Sequence, residues 1–237
     1  MAAFVPLPYT LTWPGVTADT LGSYQDKPVL TITGAPVRTP RASCGWSPSR
    51  RPTRGEDHLL ALAAGLVRPG RGDPADRDRL PAGDPAKAEE VTAQQMVESQ
   101  DSATAAALSY LHLSPDQVKV KVDLGDIGGP SAGQMLALGI VDKLAGDGKG
   151  GDLTGGLKVA GTGTIDDQGA VGAVGGVPLK TQAAARDGAT VFLLPKDECA
   201  DAKVNTPAGL RLVPVGTLGE AVSALDALRT GGAVPSC

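Results

Sequence analysis

The sequence predicts an α/β (α+β) chain that is well organised in its second half and preceded by a poorly ordered N-terminal region. Three observations carry this expectation. From Val118 onward, short β-branched runs alternate with stretches of helical periodicity. Glycine (32 residues) and proline (19) are abundant and aromatics make up only 3% of the chain, which suits many turns and close backbone contacts. Between Arg38 and Arg79 the composition shifts: nine of the twelve arginines and no lysine lie there, whereas elsewhere lysine outnumbers arginine ten to three.

Residues 1–36 read as short extended pieces, and Pro28 to Gly34 has the β-branched content of a strand ending in a turn. Residues 37–84 contain one sustained apolar run, Leu59 to Val67, and little else to set against the entropy of ordering. Two readings fit this segment: a disordered basic linker, or translation out of frame in a GC-rich gene. Both imply poor order and no functional site. Residues 85–116 turn helical, rich in Ala, Glu and Gln. Asp84 or Asp101-Ser102 are candidate caps for one helix or two, with Val91, Met96, Val97, Leu108 and Leu111 as a thin apolar stripe.

The region 117–230 reads as one domain. Val118 to Leu124 alternates strictly, as a strand with one wet face does. Ser131 to Leu144 is helical, with Met135, Leu136, Ile140, Val141 and Leu144 on one side. A glycine-rich loop, Gly146 to Gly156, leads to a strand over Leu157 to Ile165. Asp166 to Gly169 forms a hairpin turn into Ala170 to Val174. Leu179 to Arg186 is a short helix ended by Gly188. Thr190 to Leu194 is a buried strand closed by Pro195, and Leu210 to Val215 is another. Thr217-Leu218-Gly219-Glu220 is a capping box that opens a last helix running to about Arg229, before a tail at 231–237.

Composition and spacing exclude several function classes. A net charge of −4 offers no nucleic-acid surface. The apolar runs fall short of a membrane span, and Met1 to Pro6 lacks the basic start of a signal peptide, although this apolar opening also fits the tail of a span whose first part is missing. The three cysteines, Cys44, Cys199 and Cys237, form no C-x-x-C pair, and His58 and His112 lack a partner at metal-ligand spacing, so neither metal nor cofactor is expected. No G-x-x-x-x-G-K-[ST] motif is present.

Two residues carry candidate chemistry. Ser131 follows Gly128-Gly129-Pro130 and opens a helix, where backbone N–H groups point towards developing negative charge. Gly128, Gly129 and Gly133 would let a substrate backbone approach. A serine hydroxyl needs a base, and neither histidine is well placed. A neutral lysine serves if its reference pKa of about 10.4 drops by roughly three pH units, a differential interaction of about 4 kcal/mol. Lys180 fits, among Val177, Pro178, Leu179 and Ala183 to Ala185, with no acid before Asp187. Lys143 and Lys158 read as solvated. The alternatives at these positions are an ordinary helix N-cap and a solvated charge, and the glycine turn alone also suits an anion-binding loop.

Val118 to Arg229 resembles the proteolytic domain of the Lon family of serine peptidases. Gly129-Pro130-Ser131-Ala132-Gly133 matches the family's GPSAG nucleophile signature. Val159 to Ile165 is similar to its M-T-G-E-I strand, Val171 to Lys180 to its V-x-P-I-G-G-L-K-E-K stretch, and Ala184 to Pro195 to its A-x-R-A-G-[IA]-x-x-V-[IL]-[IL]-P ending. The resemblance implies a mixed β-sheet with packed helices, a Ser131–Lys180 dyad, and Thr162 as a threonine orienting the lysine. It implies polypeptide substrates, unfolded or extended, and a ring of copies. An acid common three residues before the nucleophile is Gly128 here, and the glutamate of the M-T-G-E-I strand is Thr164.

Residues 6–35 resemble the segment after the anchor of membrane-anchored actinobacterial proteins that carry a PDZ module and a Lon-type domain outside the cytoplasm. No span precedes residue 6 and no PDZ-like module of adequate length fits between Leu113 and Gly128, so the chain reads as a truncated or rearranged copy, or as a gene with a frame error. Cys199 and Cys237 sit where such relatives carry cysteines, which implies a disulfide between them; two unpaired thiols is the alternative. The function implied is a serine endopeptidase without its own ATPase module; the alternative is a non-catalytic peptide-binding module on the same fold.

Overall fold

The computed structural model describes residues 13–14, 17–40, 44–46, 49–50, 85–124 and 129–237. The N-terminal part supplies seven short strands: β1 (Trp13–Pro14), β2 (Ala18–Asp19), β3 (Ser23–Tyr24), β4 (Lys27–Pro28), β5 (Leu30–Thr33), β6 (Cys44–Trp46) and β7 (Ser49–Arg50). A long helix, α1 (Pro85–Tyr110), leads to β8 (Lys119–Val122). After a 3-10 turn at Pro130–Ala132 come α2 (Gly133–Leu144), β9 (Val159–Gly161), β10 (Thr164–Ile165) and β11 (Val171–Gly172). The chain continues through α3 (Val177–Arg186), β12 (Val191–Pro195), α4 (Cys199–Lys203), β13 (Arg211–Val215) and α5 (Leu218–Thr230).

The central sheet has the order β13-β12-β9-β6-β2. β13, β12, β9 and β6 run parallel, and β2 closes the edge antiparallel to β6. A parallel strand covered on both faces must be apolar at every position, and β12, Val-Phe-Leu-Leu-Pro, is buried throughout. Its alternation assigns the two faces. Leu193, with Val159 and Val213, joins the core formed with α1, α2 and α5. Phe192 and Leu194, with Ala160 and Leu212, pack instead against Val177 and Ala184 of α3 and Ala202 of α4. Helices therefore cover both faces of a mixed sheet. The most enclosed of them is α2, buried from Gly133 to Asp142; a helix apolar on all sides belongs between the sheet and an outer layer, here α1 and α5.

The structure departs from the sequence reading at several points. Cys44–Trp46 lies in the segment expected to be poorly ordered, yet it forms a sheet strand between β9 and β2, with Cys44 only 2% exposed. Nearby, the Arg38 backbone N–H donates to Lys143 O (2.8 Å) and its guanidinium donates to Gly150 O (2.8 Å), pinning the end of α2 to the glycine-rich loop. Residues 51–84, including His58 and Leu59 to Val67, lie outside the described residues. Helix α1 runs without a break past Asp101-Ser102, so these residues cap nothing. Lys143, expected in solvent, is half-buried, and burial pulls its ammonium pKa down. Lys158 is exposed as expected.

The expected strand Leu157 to Ile165 is broken. β9 stops at Gly161, while Thr164 and Ile165 pair antiparallel with Gly172 and Val171 in a separate hairpin. The capping box is also offset. Thr217 Oγ1 accepts from the Glu220 N–H (3.1 Å), but the Glu220 carboxylate accepts from the Gly216 N–H (2.7 Å), one residue before the expected partner. Among the described residues no helix is long and apolar enough to cross a membrane, and no cluster of His, Cys, Asp or Glu is suited to a metal ion.

Cys199 and Cys237 form a disulfide with a Cα–Cα distance of 5.3 Å, tying the tail to α4 across 38 residues of sequence. Closing a loop of this length restricts the unfolded chain. Cys199→Ser is therefore expected to lower unfolding stability by about 2–4 kcal/mol, read as a fall in the denaturant midpoint under non-reducing conditions.

Candidate active site

Gly129-Pro130-Ser131-Ala132-Gly133 folds into a tight turn. The Ala132 N–H donates to Gly129 O (3.3 Å) and the Gly133 N–H to Pro130 O, so Ser131 stands in the middle of a 3-10 turn ahead of α2. The N-cap of α2 is Ala132, with no side-chain cap, which removes the ordinary N-cap reading of Ser131. Gly133 is required for a reason other than the expected one: a Cβ there would meet Ile165 Cγ2 and Ser99 Oγ, each at 3.0 Å. The close approach comes from the protein's own chain, not from an incoming backbone. At Gly129 a Cβ would meet nothing within 4 Å, so space lies open in front of the turn. Gly128 lies outside the described residues.

The break after β9 brings Thr162 to this turn. The Thr162 N–H still donates to Leu193 O (3.0 Å), keeping it on the edge of β12. The next N–H, of Gly163, instead donates to Ser131 O (3.0 Å), and Gln134 N–H returns a bond to Gly163 O (3.1 Å). Thr162 is fully buried, and its hydroxyl donates to the same Ser131 carbonyl (3.3 Å).

Lys180 arrives from the other face of the sheet. Gly176 begins α3 in the left-handed conformation (φ 71°), a backbone state that glycine adopts without a Cβ penalty. Pro178 in the first turn then sets helical φ without requiring a backbone N–H. The helix turns Lys180 inward until it is 3% exposed, and its Nζ donates to Thr162 Oγ1 (3.3 Å). A continuous path thus links the lysine amine, the threonine hydroxyl and the backbone of Ser131. The sequence-predicted residues Ser131, Lys180, Thr162, Gly129, Pro130 and Gly133 all converge here; Cys237 of the disulfide packs against the apolar cluster of Phe192, Leu194 and Ala202.

Two supporting residues were missed by sequence reading. Ser99, on α1 and 7% exposed, donates its hydroxyl to Pro130 O (3.0 Å), a second side-chain tie on the turn besides that of Thr162. The Glu198 carboxylate accepts from the Val174 N–H (3.1 Å) and fixes the loop leading into α3. Neither contact leaves a local signal, because each partner is distant in sequence.

A serine held on a glycine turn beside a buried lysine, on a mixed sheet with helices on both faces, belongs to the class of serine peptidases. Within that class the chain belongs to the family of the Lon protease (S16) C-terminal proteolytic domain, whose sequence model matches residues 83–225, more than half of the chain. The matched region contains Ser131, Thr162 and Lys180 and stops short of Cys237. Comparison with curated proteins gives no match.

Proposed function

We propose that the chain hydrolyses peptide bonds of unfolded or extended polypeptides through a Ser131–Lys180 dyad, without ATP. The observation that carries this reading is the buried Lys180, with its amine hydrogen-bonded to Thr162, whose hydroxyl reaches the backbone of Ser131. The neutral amine is the form a general base requires. The Thr162 hydroxyl has one proton, and it goes to Ser131 O; its lone pair therefore accepts an N–H from Lys180. This orients the amine and leaves its own lone pair for the Ser131 hydroxyl proton.

The Ser131 oxygen attacks the peptide carbonyl carbon as its proton passes to Lys180 Nζ. The attack forms a tetrahedral oxyanion, and the N–H groups of Ala132, Gly133 and Gln134, which bond Gly129 O, Pro130 O and Gly163 O in the resting turn, would have to turn to reach it. Collapse breaks the C–N bond, and the Lys180 ammonium returns the proton to the leaving amine. Water then attacks the Ser131 acyl ester, with Lys180 again as base, releasing the acid and free serine. An extended substrate pairs as an added strand, which suits polypeptide lacking tertiary structure. ATP independence rests on the absence of a phosphate-binding motif in this sequence.

The test is cleavage of a denatured protein such as casein without nucleotide, for the wild type and for Ser131→Ala; equal rates would overturn the reading. Thr162→Val keeps the shape of the side chain and removes the hydroxyl. It is expected to lower kcat by about 10–100-fold while KM changes little, because the amine loses its orientation in the proton-transfer step.

A further inference from the structure

Helix α1 and the β10 strand face each other across a cavity of about 310 Å³ that opens to solvent beside the nucleophile turn. One wall is Gln95, Glu98, Ser99 and Ser102 of α1; the other is Pro130 with Thr164 and Ile165. Pro130 immediately precedes Ser131, so a group filling this space lies against the turn that carries the serine. The two walls are joined at the base by the Ser99 hydroxyl on Pro130 O (3.0 Å), and Ile165 is buried, so the cavity is formed before anything enters it.

Its lining is chemically one-sided. Pro130 and Ile165 offer apolar surface, whereas Ser99, Ser102, Thr164 and Gln95 offer neutral polar groups. The single charged residue of the lining is Glu98, which is exposed and accepts one hydrogen bond from Gln94 Nε2 (3.0 Å) on its Oε1. A carboxylate has about four acceptor sites, so one bond from Gln94 leaves capacity for a cation. Apolar surface and a carboxylate on one lining suit a long aliphatic stem with a terminal positive charge and disfavour an acidic one.

Resting on the hydrolytic reading above, we propose that this cavity is the side-chain subsite adjoining the Ser131 centre and that Glu98 gives it a preference for lysine or arginine beside the scissile bond. Substrates are then extended polypeptides with a basic residue at that position.

Binding and cleavage are measured with one set of fluorescent peptides. They are identical except for lysine, arginine, norleucine or glutamate at either residue flanking the scissile bond. Anisotropy with the Ser131→Ala protein reads binding without turnover. At one of the two positions the lysine and arginine peptides are expected to bind about five- to tenfold more tightly than norleucine, with glutamate weakest. In Ser131→Ala with Glu98→Gln the lysine-to-norleucine ratio falls to about one, and with Glu98→Lys the glutamate peptide becomes the tightest. Glu98 is exposed on the helix surface, so both variants keep the fold. Equal binding of all four peptides at both positions, or a basic preference that survives Glu98→Gln, overturns the subsite. Wild-type protein that shows the preference in binding but cleaves no peptide overturns the hydrolytic reading and leaves the subsite standing.

Discussion

Lys180→Met is expected to abolish peptide hydrolysis while leaving the protein at least as stable as the wild type. Methionine fills much the same volume with an apolar chain, and Lys180 is 3% exposed. A buried amine is costly wherever it is charged, so an apolar replacement removes that cost. Loss of the hydrogen bond to Thr162 Oγ1 offsets part of this gain, and a lysine retained for structure alone would leave kcat of the folded variant unchanged. The loss in kcat is expected to be at least about 10³-fold, as for other paired nucleophile–base systems, and Ser131→Ala should lose about as much. Combining the two should cost little beyond either alone, since each already disables the same step. Steady-state kinetics and chemical denaturation on the same preparations check both halves.

The second large effect is on folding. Phe192→Ala is expected to destabilise the protein by about 3–5 kcal/mol, read as a lowered denaturant midpoint. Phe192 is fully buried in β12, on the face that packs against Val177 and Ala184 of α3. Lys180 lies between those two positions on the same helix. The cavity left by the ring therefore undercuts the element that aims the amine. Activity is expected to fall on heating before the far-ultraviolet circular dichroism signal does. A conservative change, Phe192→Leu, should recover most of both losses.

Where the sequence was informative, the reason is local. Val191 to Leu194 is apolar at every position, which only a strand covered on both faces or a buried helix tolerates, and Pro195 limits its length. Gly176, Pro178 and Gly188 bracket α3 by backbone preference alone, and Ser131 and Lys180 stood out because glycine turns and an acid-free helix start are visible in one dimension. What was not legible is long-range. Cys44–Trp46 has too few residues to register as a strand, and it becomes one because β9 and β2 supply hydrogen-bonding partners on either side. The break after Gly161 is invisible in a run of small and β-branched residues; it exists because the Gly163 N–H turns to Ser131 O instead of continuing the sheet, and the Thr162 hydroxyl donates to the same carbonyl. Ser99 and Lys143 took their environments from the packing of α1 and α2, which no local pattern records.

The dyad is tested most directly by locating the covalent intermediate. A peptide ester that acylates faster than it deacylates is mixed with the protein and quenched in acid, and the digest is analysed by mass spectrometry. The acyl group is expected on the fragment containing Ser131 in the wild type, and on no fragment of Ser131→Ala or Lys180→Met. Acylation at another residue, or undiminished ester turnover by Ser131→Ala, would contradict it.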